Sequence, residues 1–196
     1  MQILNPSLDL REFFARLRAA RERVLFVDYD GTLAPFTERP ERTRPYPGVA
    51  PLLEGIGRDA GTRIVMVSGR RIADMARPLA QIRSHEAWGA HGWQRARPGR
   101  RPLEFVPTGA ERRRLDAAER QTRRVEALGA RVERKPGSVA AHWRGLDPVA
   151  ADVVRARLQR AWRPFERAGL ESLEFEGGVE LRARSRNKGS AVRDCL

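Results

Sequence analysis

Cysteine is almost missing from this chain. Cys195 is the only one in 196 residues, which excludes an internal disulfide and leaves no CxxC or Cys/His pattern for zinc. Histidine is scarce as well, and His85, His91 and His142 are too scattered to suggest a zinc cluster. Lysine is confined to Lys135 and Lys188, so the positive charge is an arginine charge spread along the whole chain. No apolar run is longer than a strand, and Met1-Gln2-Ile3-Leu4-Asn5-Pro6 has neither the basic region nor the apolar core of a signal peptide. A soluble cytoplasmic protein with no membrane partner is the expectation.

A net charge of +13 and a pI near 11.4 raise nucleic acid as a partner, because clustered cations gain affinity by releasing phosphate counterions. The distribution speaks against it. The densest run, Glu111-Arg112-Arg113-Arg114 through Arg123-Arg124, is interspersed with Asp116 and Glu119 and followed by Glu126, as on a solvated helix face with ion pairs. No helix-turn-helix or RNA-binding motif is present. The length suits one domain, or a domain carrying a smaller insertion.

What the chain does have is a run that ends on two carboxylates: Val24-Leu25-Phe26-Val27-Asp28-Tyr29-Asp30-Gly31-Thr32-Leu33. The apolar residues 24–27 suit a buried parallel strand, and open α/β sheets bind their ligands at the carboxyl ends of such strands. Side chains two apart in an extended segment share a side, so Asp28 and Asp30 could serve one Mg²⁺ and one phosphate. Gly31 permits the sharp turn. An ordinary Asp-rich turn is the plain alternative. A second apolar strand, 63–67, ends in Ser68-Gly69-Arg70, again at the ligand edge, where Ser68 could donate to a phosphate oxygen or simply cap a helix over 72–79. Before these strands, Ser7 is placed to cap a helix reaching about Arg21, with Leu8, Leu10, Phe13, Phe14 and Leu17 as its apolar stripe. A prolyl loop and a short helix over 49–58 separate them.

The middle of the chain changes character. Pro98-Gly99 and Pro102 break the α/β pattern, and a long charged helix is predicted over 108–128. Residues 131–133 and 138–143 flank the Lys135-Pro136-Gly137 turn as a hairpin, a helix follows over 148–167, and 172–175 with 179–183 form a second hairpin around Glu176-Gly177-Gly178. A separate α+β lobe is expected, with helices on one face of a small antiparallel sheet.

These motifs resemble those of the trehalose-6-phosphate phosphatases of the haloacid dehalogenase superfamily. Asp28-Tyr29-Asp30-Gly31-Thr32-Leu33-Ala34-Pro35 is similar to the family's first motif, Val67-Ser68-Gly69-Arg70 to the second and Asn187-Lys188-Gly189 to the third. Ala90-His91-Gly92 fits the junction of core and cap. Glu133-Arg134-Lys135-Pro136-Gly137 and Ala141-His142-Trp143-Arg144 resemble the sugar-facing cap segment, with Trp143 where Tyr is commoner, and Glu180-Leu181-Arg182 resembles the Glu-x-Arg on the strand returning to the core; Glu176-Gly177-Gly178 stands in place of a Gly-Lys pair.

The resemblance implies an α/β fold: a Rossmann-like parallel-sheet core over 1–103 and 182–196, with an inserted α+β cap over 104–181. It implies hydrolysis of trehalose 6-phosphate, a small-molecule sugar phosphate, through an aspartyl-phosphate. Asp28 would be the nucleophile and Asp30 the acid and base, with Mg²⁺ held by Asp28 and Asp30. Thr32, Ser68, Gly69, Arg70, Glu133, Lys135, His142, Arg144, Glu180 and Lys188 would bind substrate. The family's fourth, acidic Gly-Asp-Asp motif does not occur before Leu196, so a C-terminally incomplete core and weakened Mg²⁺ binding are expected. The alternatives are a phosphatase for another sugar phosphate and a noncatalytic Arg-rich protein that binds nucleic acid.

Overall fold

Asp9 accepts hydrogen bonds from the backbone N–H groups of Arg11 and Glu12 at 2.8 and 3.0 Å, and so begins the first helix, α1 (Leu10–Ala19). The computed structural model describes residues 9–37, 40–58, 61–75, 80 and 86–196. Ser7, Leu8 and His85 lie outside them, as does the second half, 76–79, of the helix predicted over 72–79. No residue of α1 is buried, and Phe13, Phe14 and Leu17 of the expected apolar stripe are exposed.

The core sheet has the order β1 (Arg23–Val27), β2 (Thr62–Val67), β3 (Glu86–Gly89), β4 (Gln94–Ala96) and β5 (Leu103–Glu104). β1, β2 and β3 run parallel, in register from Leu25 opposite Ile64 to Met66 opposite Ala87. β4 and β5 are added antiparallel, so the sheet is mixed at that side. Among the described residues β1 is the outer strand, which explains why Val24, Leu25 and Phe26 are only half-buried where a fully buried strand is predicted. β2, between two neighbours, is buried from Ile64 to Val67. Below the sheet, α2 (Val49–Gly57) inserts Leu53 beside Val27, Tyr29, Ile64 and Met66. Residues Ile72–Met75 form a single 3-10 turn.

β3 escapes a reading by hydrophobicity because it opens on a buried carboxylate. Glu86 accepts from Trp88 Nε1 at 2.6 Å, Arg95 Nε at 2.8 Å and Arg97 Nε at 2.8 Å, and a charge satisfied in this way can be carried inside.

Beyond β5 the chain builds the second lobe. Thr108 and Glu111 form a reciprocal capping box at the start of α3 (Gly109–Thr122), which runs into a 3-10 segment, Arg123–Leu128. β6 (Arg131–Lys135) and β7 (Ser138–His142) form the first hairpin, α4 (Pro148–Arg167) follows, and β8 (Leu170–Phe175) with β9 (Gly178–Ala183) forms the second. The four strands make an antiparallel sheet in the order β6–β7–β9–β8. Register decides what each face carries, since directly paired residues share a side. Val132, Ala141 and Val179 are paired, as are Val139 and Leu181, and these meet Leu115, Ala118, Val154, Leu158 and Trp162 from α3 and α4. The opposite face therefore holds Glu133, Ala140 and Glu180 in one row, with Lys135, Ser138 and Arg182 in the next. The last helix, α5 (Lys188–Cys195), returns to the core sheet, where Ala191 packs with Val65, Val67 and Trp88.

Candidate active site

Asp28 and Asp30 lie just beyond the carboxyl end of β1, and Ser68 just beyond β2, at the edge where parallel sheets expose polar turns. Tyr29 between the two aspartates points the other way and is fully buried, its hydroxyl donating to the Thr43 carbonyl at 3.1 Å. The Tyr29 carbonyl accepts from the N–H groups of Leu33 and Ala34, both at 3.0 Å, which closes the turn. Gly31 sits in it at φ +78°.

The two carboxylates have different partners. Asp28 Oδ1 accepts from the Tyr29 N–H at 2.8 Å, and Asp28 Oδ2 is ion-paired with the Lys188 ammonium at the start of α5. Asn187 caps that helix by accepting from the Ser190 N–H at 3.0 Å, which fixes where Lys188 leaves the backbone. Asp30 is clamped by Arg70, with Nε to Oδ2 at 2.8 Å and Nη2 to Oδ1 at 2.5 Å. The Arg70 guanidinium lies 5.0 Å from the Tyr29 ring centroid. Burial disfavours its charge, but the Asp30 bond and charge outweigh this and raise the Arg70 pKa above its ordinary value. Ser68 is buried and its Oγ accepts from the Arg70 N–H at 3.1 Å, leaving its own proton for an acceptor in the cleft. Thr32 is exposed.

The charged face of the second sheet is fastened onto this turn. Glu180 is buried and accepts from Ser138 Oγ at 2.6 Å and Lys135 Nζ at 3.3 Å, and pairs with His91 Nε2 at 2.9 Å. His91 belongs to the core, adopts φ +56°, and packs its ring on Gly69, where a β-carbon would fall 2.6 Å from Cε1. Gly69 is thus required by the approach of His91. Burial alone would raise the Glu180 carboxyl, but His91, Lys135 and Ser138 hold it far below the ordinary carboxylate range. Glu133 meets His142 Nε2 at 3.2 Å and the core's Arg71 Nε at 3.9 Å. Burial pushes Glu133 up as well, and is overcome by His142, Lys135 and Arg131, which bring it to about 2.

Arg144 donates to two carbonyls, Thr37 of the core at 2.6 Å and Glu176 of the β8–β9 turn at 2.7 Å. It bridges core and cap. Glu133, Lys135, His142 and Glu180 form one cluster on the cap face, while Asp28, Asp30, Ser68, Gly69, Arg70 and Lys188 meet at the sheet edge. His91 and Arg71, to which no role is given by sequence reasoning, join the two groups. The Ala-His-Gly triplet is the one signal that points to His91.

The fold and the meeting of these two groups are those of the haloacid dehalogenase superfamily. The C-terminal domain of the Candida albicans trehalose-6-phosphate phosphatase has the same fold, with a TM-score of 0.79 at 19% identity, over 96% of this chain and 66% of that one. Residues 26–196 match the trehalose-phosphatase family model, and the chain belongs to that family. A probable trehalose-phosphate phosphatase of Sinorhizobium fredii is 31% identical, over 86% of this chain and 62% of its own length. A Mycobacterium tuberculosis protein named as an uncharacterized glycosyl hydrolase is 30% identical over 91% of this chain, which spans only 13% of that relative.

Proposed function

We propose that the chain hydrolyses trehalose 6-phosphate to trehalose and phosphate through an aspartyl-phosphate on Asp28. The observation that carries this reading is the cap face of Glu133, Lys135, His142 and Glu180, tied by Arg71 and His91 to the turn that holds Ser68 and Arg70. A dense set of fixed donors and acceptors above a phosphoryl site suits a leaving group made of hydroxyls.

The Asp28 carboxylate attacks phosphorus, and the bond to the sugar oxygen breaks as that oxygen takes a proton from Asp30. Water, giving a proton back to Asp30, then releases phosphate from Asp28. Lys188, already beside Asp28, moves its charge onto the phosphoryl oxygens, and Ser68 donates its hydroxyl to them. Both Asp30 oxygens accept from Arg70, so each proton transfer there displaces one guanidinium N–H, while the Tyr29 face keeps Arg70 nearby.

The donor set fits Mg²⁺. This ion commonly takes one or two carboxylates, keeps several waters and completes its shell with substrate phosphate. Asp28 and the Asp30 carbonyl would hold it, and it would offset the repulsion between carboxylate and phosphate. Among the described residues no three acidic, His or Cys side chains gather into a ready-made site. A cytoplasmic setting goes with this reading; among the described residues no helix is long and apolar enough to cross a membrane.

Phosphate release from a panel of sugar phosphates tests the proposal. Trehalose 6-phosphate should give the highest kcat/KM, with activity lost to a chelator and recovered with Mg²⁺. Preference for another sugar phosphate would replace the substrate assignment.

A further inference from the structure

We infer that Phe36 is a specificity-determining residue: its ring is the core's contact surface for the sugar that carries the phosphoryl group. The inference rests on the sugar-phosphate reading of the site.

Phe36 follows the first-motif turn directly, yet it is 59% exposed while its neighbours Leu33 and Ala34 are buried. Its ring lies over Gly31, where a β-carbon would fall 2.6 Å from Cε2 and 2.8 Å from Cζ. Gly31 is bonded to Asp30, so the ring packs on the residue that follows the proposed acid and base. Such an apolar surface is held out of the core by its surroundings. The next residue, Thr37, gives its carbonyl to Arg144 of the cap at 2.6 Å and pairs its hydroxyl with that of Thr43 at 2.7 Å. The Thr43 carbonyl in turn accepts from Tyr29 at 3.1 Å. With the Ala34 N–H bonded to the Tyr29 carbonyl at 3.0 Å before it and Thr37 held after it, the backbone at Phe36 is fastened on both sides, and the ring is presented as a pre-set plate.

The other hand of Arg144 grips the carbonyl of Glu176, beside Phe175, which is 41% exposed and lies tilted against the His142 ring with centroids 5.3 Å apart. One guanidinium thus joins the backbone next to both exposed rings. A phosphate or a metal ion gains nothing from an apolar face. A pyranose does, because its axial C–H groups form an apolar face that packs on the negative face of an aromatic ring, while its hydroxyls reach polar groups such as Glu133 and Lys135. The pairing of a ring on the core with a polar grip on the cap selects for hexose esters over phosphate esters that lack a ring.

The test is steady-state hydrolysis of trehalose 6-phosphate, glucose 6-phosphate and acetyl phosphate by the wild type and by Phe36→Ala, Phe36→Leu and Phe36→Tyr, with folding checked by thermal midpoint. The ratio of kcat/KM for trehalose 6-phosphate to that for acetyl phosphate should fall about tenfold in Phe36→Ala, the scale of one lost apolar contact. It should stay within about twofold of wild type in Phe36→Tyr. Phe36→Leu, which keeps bulk over Gly31 without the flat face, should lie between, and carries the comparison if the alanine variant fails to fold. An unchanged ratio in Phe36→Ala, or in Phe36→Leu if only that variant folds, overturns the inference and leaves the trehalose reading standing if the wild type prefers that ester. If the wild type prefers glucose 6-phosphate, the trehalose reading fails, and Phe36 is judged by the ratio for glucose 6-phosphate. A wild type that hydrolyses none of the three overturns both.

Discussion

Two aspartates a single residue apart are given different electrostatic settings: Lys188 reaches Asp28 from a helix start 160 residues away, and Arg70 reaches Asp30 from the turn that follows the neighbouring strand. Each can then be removed with a different expected result. Asp28→Asn should abolish turnover and leave the thermal midpoint close to wild type, because the amide keeps the shape without the nucleophile; wild-type rates would refute the assignment. Asp30→Asn should cost on the order of 10²–10⁴-fold in kcat, since proton transfer is lost in both steps, and a loss below about tenfold would argue against that role. Glu133→Ala and Lys135→Ala should lower kcat/KM for the trehalose ester more than for acetyl phosphate, since neither touches phosphorus in this reading. The meeting of Asp28, Asp30, Ser68 and Lys188 is legible because short motifs record residues that sit at strand ends and helix starts. His91 and Arg71 are not, because what they do depends on Glu180 and Glu133, which approach only when the cap sheet folds over the core.

Helices with a cap and a stripe, and strands with a clear period, could be read directly. α4 spans the predicted 148–167, and the β6–β7 and β8–β9 hairpins fall on their predicted turns. β3, β4 and β5 could not, being two to four residues long and held by Glu86, Trp88 and Arg95 through side-chain bonds rather than by hydrophobic alternation. At the start of α3, capping chemistry has a consequence beyond the helix. Glu111, which completes the box with Thr108, also accepts from Ser185 N at 3.3 Å and Ser185 Oγ at 3.0 Å, so the segments leaving and re-entering the core share one carboxylate. Thr108→Ala should cost about 1 kcal/mol and lower the thermal midpoint by roughly 2–4 °C. A thermal scan showing no change would mean that Ser185 alone orients Glu111.

Core and cap are joined by charges, so the molecule's stability should depend on acid in a particular way. Glu180 pairs with His91 and Glu133 lies against Arg71, each linking the cap sheet to the core. Burial raises the Glu133 carboxyl, but His142, Lys135 and Arg131 bring it down to about 2 from the ordinary 4.5. A carboxylate held down by folding stabilises the native state above its ordinary value, and that contribution disappears as pH falls through the folded value. For Glu133 the window runs from about pH 4.5 to about pH 2. Acid also protonates every other carboxylate, so wild type is best measured against Glu133→Gln, in which the carboxylates that do not face Glu133 titrate alike and cancel. Wild type should melt higher than the variant at neutral pH, and the gap should close as pH falls through that window. For Glu180→Gln the gap should persist to lower pH, because Glu180 is held down more strongly by His91, Lys135 and Ser138. Thermal midpoints from pH 7 to pH 2 decide it: a gap that keeps its size across the window would show that Glu133 stabilises the lobe by packing, with no contribution from its charge.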